Sequence, residues 1–482
     1  MNRRWICFSI SAVCLHASSP IMMAQYLPPA EPLRAHGDHR QEDHSHHDHS
    51  DQDLRNINLS GANLTNAYFL RSTLTDVNLT GAVVAGADFA GAVELNFRQI
   101  ESTASYQGKN LQGINLSGMD LSGWDFSGQD LTGAVLSETL SNADLSGATV
   151  KSVWFGDLAQ VQLQSTKSYQ DRNLSGIGLA KMDLTGWDFR GQNLANASFV
   201  GSMLKDADLT GAMVTGTHFG GAYRVRPSDL TEAQLQSTAS YQTKNLQGIG
   251  LKQMHLSGWD FHEQDLSHAQ LDYASLDNAN LRGADLMGAV MTGANLTGAA
   301  MTGADLTGAE FTDGSLSGAN LTGANLTGIN LYKTSLGNVD LSGANLTGVV
   351  LYWEWMSGAN LSGANLKNTY WDSSDGDPSE LSITFDTSTI YNQWTRFPTG
   401  FDPVAAGLTF MPSPIGDFNA DDRLDHADLS LLIARGPSHR PEMLDLNADG
   451  TVSQEDLNIW VHDLVSTFFG DANLDGEFNS SD

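Results

Sequence analysis

A repeat of five residues runs through most of this chain and constrains its fold more than any other feature. Every fifth residue from Leu246 to Trp371 is Leu, Phe, Met or Trp, an unbroken register of 26 positions. Shorter runs in shifted frames cover 54–89, 111–136, 140–155 and 174–219. A helix has an apolar period of 3.6 and a half-buried strand a period of two, so neither produces this pattern.

The five-residue unit predicts a coil with straight sides and tight corners. In a typical unit, Ala-Asn-Leu-Thr-Gly at 294–298, the Leu and the Ala two positions before it point inward, and Gly forms the corner because it lacks a Cβ atom. Four units close one coil, and stacked coils align like side chains in ladders. This pattern resembles the pentapeptide-repeat family. The resemblance implies an all-β fold, a right-handed four-sided β-helix, over residues 54–371.

Breaks in the register carry a second motif. Ser-Thr-x-Ser-Tyr-Gln begins at residues 102, 165 and 237, and the segment before the third copy, residues 230–235, has a helical pattern. We therefore expect short helical insertions between stacks of coils.

Residues 1–24 are typical of a secretory signal peptide. Arg3 and Arg4 precede a short apolar stretch, and Ala24 precedes a plausible new N-terminus at Gln25. The alternatives are a buried first helix and a lipoprotein signal at Cys14. No later apolar run approaches the length of a membrane-spanning helix, so we expect no membrane span and an extracellular or cell-surface location.

Residues 25–53 are predicted to be a disordered linker rich in His and Asp. Imidazoles at this density bind zinc, copper or nickel without needing a fold. The alternative is a solvated tail with only incidental metal affinity. The candidate ligands are His36, His39, His44, His46, His47 and His49.

A group of aromatic residues is predicted to face outward near the end of the repeats. Tyr332 and Tyr352 are separated by one predicted coil, which places them on the same side of adjacent coils, and Trp353 and Trp355 also take outward positions. Exposed aromatic patches favour binding. The alternative is coverage by residues 372–416, which we interpret as a cap and linker.

Three twelve-residue loops near the C-terminus have the ligand spacing of a calcium site, with oxygen donors at positions 1, 3, 5, 7, 9 and 12. The position-7 residue of each loop offers its backbone carbonyl. Asp422 replaces the usual glycine at position 6 of the first loop. The first loop offers Asp417, Asn419, Asp421, Arg423, Asp425 and Asp428. The second offers Asp445, Asn447, Asp449, Thr451, Ser453 and Asp456. The third offers Asp471, Asn473, Asp475, Glu477, Asn479 and Asp482.

These loops, over residues 417–482, resemble the dockerin type I domain, a small α module related to the EF-hand. Pro412 and Pro414 exclude an entering helix, whereas apolar residues at helical spacing follow the second loop: Leu457, Trp460, Val461, Leu464 and Phe468. The resemblance implies calcium as cofactor and a cohesin-like or cell-surface protein as partner. Because the sequence ends at the last ligand of the third loop, we expect a module truncated at its C-terminus.

The net charge and the motif content of the sequence limit the classes of function that we expect. The 56 acidic and 25 basic residues give a net charge of −31, which disfavours binding to nucleic acid or anionic lipid. No catalytic motif is recognisable, so we expect no enzyme activity. The preferred hypothesis is a secreted scaffold or adhesion protein with a rigid β-helix rod and a calcium-dependent docking module. The alternatives are a dockerin-bearing component of extracellular polysaccharide degradation and an acidic DNA-mimic β-helix.

Overall fold

The computed structural model describes residues 37–137, 139–222, 224–352, 355–372, 382–419, 421–425, 428–429, 432, 444–447 and 451–464. The predicted signal peptide therefore lies outside the described residues. The chain divides into two compact units, Met1–Met254 and His255–Asp482.

The corners of the coils are tight turns with a left-handed residue. In the unit 294–298, the amide of Ala299 donates to the carbonyl of Leu296 at 3.0 Å. Gly298, the third residue of this turn, has φ of 69°, a conformation that glycine adopts without a steric penalty. The side chain of Asn295 accepts from the amide of Thr297 at 3.1 Å. The polar residue before the leucine therefore braces the corner that follows it in this unit.

The sides of each coil pair in parallel with the coils before and after it. In the second unit, Asn295 pairs with Ser275 and with Ser315, so four copies of the repeat form one coil with four sides. Across both units, every position of the register from Leu246 to Trp371 is at most 3% exposed. The inward placement of the five-residue register is confirmed.

The β-helix of the first unit begins earlier than predicted. Asp38 pairs with Asn58, and Asp43 pairs with Asn63, which places residues 37–53 in a coil of their own. The assignment of this segment to a disordered linker is wrong for these residues. Parallel pairing uses backbone groups alone, so a coil forms even where its inward side chains are polar.

In the described part of the first unit, short helices interrupt the coils in three pairs. Each pair lengthens a single coil, because Asp88 pairs with Asn115 and His218 with Gly250 across the helices. The insertions therefore lie within coils, not between stacks as predicted. The pairs are α1 Phe97–Glu101 with α2 Ala104–Gln107, α3 Gln160–Ser165 with α4 Lys167–Gln170, and α5 Glu232–Gln236 with α6 Ala239–Gln242. Among the described residues, no helix is long and apolar enough to cross a membrane.

Continuous strands are short and lie in parallel pairs. They are β1 Val135–Leu136 with β2 Trp154–Phe155, β3 Val350–Tyr352 with β4 Tyr370–Asp372, and β5 Ile390–Tyr391 with β6 Thr409–Phe410.

The segment predicted as cap and linker adds further coil to the second unit. Thr384 pairs with Asn360, and Arg396 pairs with Tyr370. The ring of Phe397 lies 5.9 Å from that of Trp371, the last residue of the register. Residues 382–413 thus extend the backbone ladder beyond Trp371 and place aromatic side chains on the end of its core.

A pair of adjacent substitutions tests the inward and outward assignment. Met301 is fully buried and Thr302 is exposed. We expect Met301→Lys to lower the free energy of unfolding by at least about 3 kcal/mol, because it places a charge in an apolar core. Thr302→Lys should change it by no more than about 0.5 kcal/mol. Urea denaturation followed by circular dichroism measures both values, and equal effects would contradict the assignment.

Candidate functional site

The first two predicted calcium loops share one hydrogen-bond scheme around the carboxylate at position 12. In the first loop, Asp428 Oδ1 accepts from the amides of loop positions 2 and 3 (2.7 and 3.1 Å), and Oδ2 accepts from that of position 9 (3.0 Å). In the second loop, Asp456 accepts from the same three positions (2.7, 3.3 and 2.7 Å). Both carboxylates are fully buried. The two loops therefore have the same local fold around an acidic residue.

Buried acidic groups crowd the first loop. Asp417 is 1% exposed, and its carboxylate accepts from the amides of Asp421 (3.2 Å) and Asp422 (3.0 Å). Burial, with the nearby charges of Asp428 and Asp421, raises the pKa of Asp417 to about 6. Burial also raises the pKa of Asp428. A cation at this position would offset the repulsion among these carboxylates.

The structure places only part of the predicted ligand set. All six ligands of the first loop are described, as are five of the second loop: Asp445, Asn447, Thr451, Ser453 and Asp456. Asp449 lies outside the described residues. So does the whole third loop: Asp471, Asn473, Asp475, Glu477, Asn479 and Asp482.

An apolar core supports the two loops. Trp460 is fully buried and packs with Phe418 from the first loop and Leu444 before the second. The Trp460 indole Nε1–H donates to the carbonyl of Gly416 at 2.9 Å. The predicted helix after the second loop is α7, Gln454–Asn458, followed by a π-helical turn over Ile459–Leu464. Phe468 lies outside the described residues.

Asp422, which replaces the usual glycine, joins the loops to the β-helix. It takes the left-handed conformation itself, with φ of 66°. Its carboxylate accepts from Lys367 Nζ at 2.9 and 3.1 Å, and the Lys367 side chain is only 4% exposed. The side-chain amide of Asn368 also donates to the carbonyl of Phe418 at 3.0 Å. The sequence departure therefore has a structural role in attachment.

A second set of candidate ligands lies inside the first coil. Counting back from Leu54 in steps of five reaches three histidines at inward positions: His39, His44 and His49. Glu42 and His47 take the register positions usually held by a small inward residue, but both are exposed to solvent. His49 is fully buried and His44 is 8% exposed. Of the other predicted ligands in this tract, His46 is exposed at a corner with φ of 60°, and His36 lies outside the described residues.

Five side chains of this coil form two overlapping groups, in which Glu42 and His47 are exposed. The candidate ligand atoms of His44, His47 and His49 all lie within 4.8 Å of one another, as do those of His39, Glu42 and His44. Glu42 Oε2 contacts His39 Nδ1 (2.9 Å) and His44 Nε2 (3.1 Å). Because a carboxylate only accepts hydrogen bonds, both of these ring nitrogens carry the hydrogen.

Several ring nitrogens in the first coil lack hydrogen bonds. Within the described part of the chain, His44 Nδ1, His39 Nε2 and both nitrogens of His49 are buried without a partner. Burial lowers the pKa of His49 to about 4 and also lowers that of His44. Burial therefore favours the neutral form of both rings, which has a lone pair to offer.

The sequence contains a signal for this cluster that a search for apolar residues misses. The apolar residues of this register begin at Leu54, so an apolar register does not include the histidines before it. The spacing of His39, His44 and His49 continues the same period of five. By contrast, no repeat relates Lys367 to Asp422, so their contact had no sequence signal.

The outward aromatic patch is partly described. The rings of Tyr332 and Tyr352 lie 5.5 Å apart, as their spacing of one coil predicts. Tyr332 is 46% exposed and Trp355 is 43% exposed, so the described part of the segment after Trp371 leaves both accessible to solvent. Trp353 lies outside the described residues.

The Lys367–Asp422 pair generates a prediction about attachment. We expect Asp422→Asn to destabilise the second unit by about 1–3 kcal/mol, because it leaves a buried ammonium group without its counterion. Lys367→Met should cost less, since the carboxylate that it leaves behind is solvated. Urea denaturation measures both. The matched control is Asp313→Asn, an exposed aspartate with φ of 56°. An equal loss in that control would show that the ion pair is not responsible.

Comparison with solved structures gives pentapeptide-repeat proteins at low identity. One from the thylakoid lumen of Arabidopsis thaliana is 32% identical, with 24% of this chain and 68% of that chain covered and a TM-score of 0.10. HetL, from the cyanobacterium Nostoc, is 21% identical, with 63% and 89% covered and a TM-score of 0.12. QnrB1, a plasmid-mediated fluoroquinolone resistance protein, is 18% identical, with 43% and 93% covered and a TM-score of 0.15. No curated protein matches the chain.

A family model described as pentapeptide repeats matches the chain in eight copies. The matched residues are 53–93, 110–151, 179–221, 245–283, 274–313, 284–323 and 315–352. Proteins of this family fold as right-handed β-helices, in agreement with the four-sided coils described above. The repeat region of this chain therefore belongs to the pentapeptide-repeat family.

Proposed function

We propose that this protein is an exported, non-catalytic scaffold or adhesion protein that attaches to a protein partner through a calcium-dependent C-terminal module. The observation that carries the proposal is the repeated scheme around Asp428 and Asp456. Two loops with the same ligand spacing and the same buried position-12 carboxylate indicate a paired calcium module. The β-helix would serve as the rigid part to which this module is attached.

The donor chemistry favours calcium. Calcium takes six to eight oxygen ligands in a flexible shell, whereas magnesium demands a tighter octahedral shell of oxygens. The first loop offers side-chain oxygens of Asp417, Asn419 and Asp421, together with the backbone carbonyl of Arg423. The two loops contain neither cysteine nor histidine among their predicted ligands, so nothing in the ligand set selects for zinc.

The resemblance to dockerin type I supports a protein partner. The described part of the proposed module contains most of the predicted ligands of the first two loops and a helix, α7, after the second loop. The Lys367–Asp422 ion pair would hold such a module to the end of the β-helix. A cohesin-like domain or another cell-surface protein is the partner that this architecture favours.

Family membership supports a role without catalysis. Pentapeptide-repeat proteins are generally non-catalytic. The repeat also places most side chains either in the core or in polar ladders on the surface. In one such ladder, Asn345 Nδ2 donates a hydrogen bond to Asn325 Oδ1 at 3.3 Å. Binding through a surface suits this arrangement better than a catalytic cleft does.

Export is tested at the N-terminus of the native protein. If residues 1–24 are a signal peptide, protein recovered from the envelope or the medium should begin near Gln25. Edman sequencing or intact-mass measurement gives this terminus directly. Cytoplasmic protein that retains Met1 would contradict export.

Calcium binding is tested on the full chain after treatment with a chelator. We expect calorimetric titration to show calcium binding that magnesium reproduces only weakly. Asp445→Asn removes the first ligand of the second loop and should abolish one calcium site. Glu455→Gln is the matched control, because Glu455 is an exposed acid next to the ligand Asp456 but occupies no ligand position.

Two results would contradict the calcium proposal. One is the absence of calcium binding at millimolar concentration. The other is an equal loss of binding in Asp445→Asn and Glu455→Gln, which would indicate diffuse attraction to an acidic surface instead of coordination in a loop.

A further inference from the structure

The interior of the first coil differs from that of the coils after it. In later coils the register positions are apolar, and Phe69 and Phe89 stack with ring centroids 5.2 Å apart. In the first coil the same positions hold His39, His44 and His49, and the ring of His49 lies 5.4 Å from that of Phe69. Buried nitrogens without hydrogen bonds destabilise a core. A scaffold function does not require these buried nitrogens.

Hydrogen bonds explain why the side chains of one overlapping group lie close together, but not why those of the other group do. Glu42 accepts hydrogen bonds from both His39 and His44, so this group is held together by its own contacts. No hydrogen bond among the described residues explains why the side chains of His44, His47 and His49 lie close together. Within the described residues, His44 Nδ1 and both nitrogens of His49 are left without partners.

We propose that the buried His44 and His49 and the exposed His47 bind one divalent transition-metal ion of the zinc class at the first coil, with Glu42 holding His44 in the ligating orientation. Three imidazoles and one remaining position, open to water, form a common zinc arrangement. Copper(II) and nickel(II) accept the same nitrogen ligands.

The geometry allows the ion with small movements. Tetrahedral zinc with zinc–nitrogen bonds of about 2.0 Å places its ligand nitrogens about 3.3 Å apart. The three candidate atoms already lie within 4.8 Å of one another, so rotation of the rings closes the difference. Glu42 has the place of the carboxylate that often orients a ligating histidine, because its bond to Nε2–H leaves Nδ1 of His44 as the ligand atom.

The structural role of the ion follows from its place in the stack. The coil of residues 37–53 is the first that the structure describes, and its inward face continues the core under Leu59, Leu64 and Phe69. An ion that satisfies the unpartnered nitrogens converts a destabilising polar layer into a cross-link between sides of one coil. We therefore expect the metal to stabilise this end of the β-helix.

The test uses the full chain, purified without a histidine tag, stripped with a chelator and then kept in saturating calcium so that the acidic loops are filled. Calorimetric titration with zinc should show one tight equivalent per chain. Zinc should also raise the melting temperature and slow amide hydrogen exchange at residues 44–64. Cobalt(II) in place of zinc should give the intense visible absorption of a tetrahedral site.

Four variants separate a built site from the incidental affinity of a histidine-rich segment. His49→Leu removes a ligand and restores the residue type of the repeat, so it should abolish tight zinc binding while the metal-free protein folds normally or melts higher. His47→Ala should abolish tight binding with no change to the buried register. Glu42→Gln should weaken zinc binding by about 10–100-fold. His46→Asn, at an exposed corner whose left-handed backbone Asn tolerates, is the matched control and should bind zinc as the parent does.

The proposal fails if His46→Asn and His49→Leu weaken zinc binding equally, because equal effects would mean that zinc affinity comes from the number of histidines and not from a defined site. It also fails if zinc binds without raising the melting temperature or slowing exchange in this coil. Loss of the tight zinc equivalent in this saturating calcium, or its displacement by magnesium, would likewise overturn it, because those ions prefer oxygen ligands.

Discussion

The parallel pairing of each coil with the next is the interaction on which the rest of this structure depends. Each side donates and accepts backbone hydrogen bonds at a fixed step of one coil, as when Leu296 donates to Ser315 at 2.8 Å. A stack of this kind satisfies its own backbone except at an end, where a coil has no further partner. Unusual sequence flanks the regular repeats on both sides. Histidines line the coil nearest the N-terminus, and an aromatic segment with an acidic module follows Trp371.

Because the pairing uses the backbone, the coil tolerates changes that would break most cores. The helices α1 and α2 lengthen one coil, yet Asp88 and Asn115 still pair across them. The same tolerance allows His44 and His49 to replace leucine without loss of backbone pairing. The repeat therefore provides fixed inward positions at which evolution can place chemistry other than packing.

The sequence predicted the repeat region well because a single five-residue period determines, in every unit, which side chains face the core and which face solvent. Every residue of the register from Leu246 to Trp371 lies in the core. The same reasoning failed at residues 37–53, since it equated inward with apolar and left His49 out of the core. It also could not find the contact of Lys367 with Asp422. That contact joins two segments that are distant in sequence, and neither charge repeats with the period that set the rest of the fold.

Preorganisation differs between the two candidate metal sites. In the acidic loops, the carboxylates of Asp428 and Asp456 already accept hydrogen bonds from three backbone amides each, so the loop conformation is braced from within by the same groups that would meet the ion. In the first coil, His44, His47 and His49 are held by the coil itself, because their backbone positions are fixed by pairing with the next coil. Oxygen-rich loops and a nitrogen-lined coil also select different ions. The two proposed sites would therefore let one chain respond to two metals independently, with each response confined to the segment that supplies the ligands.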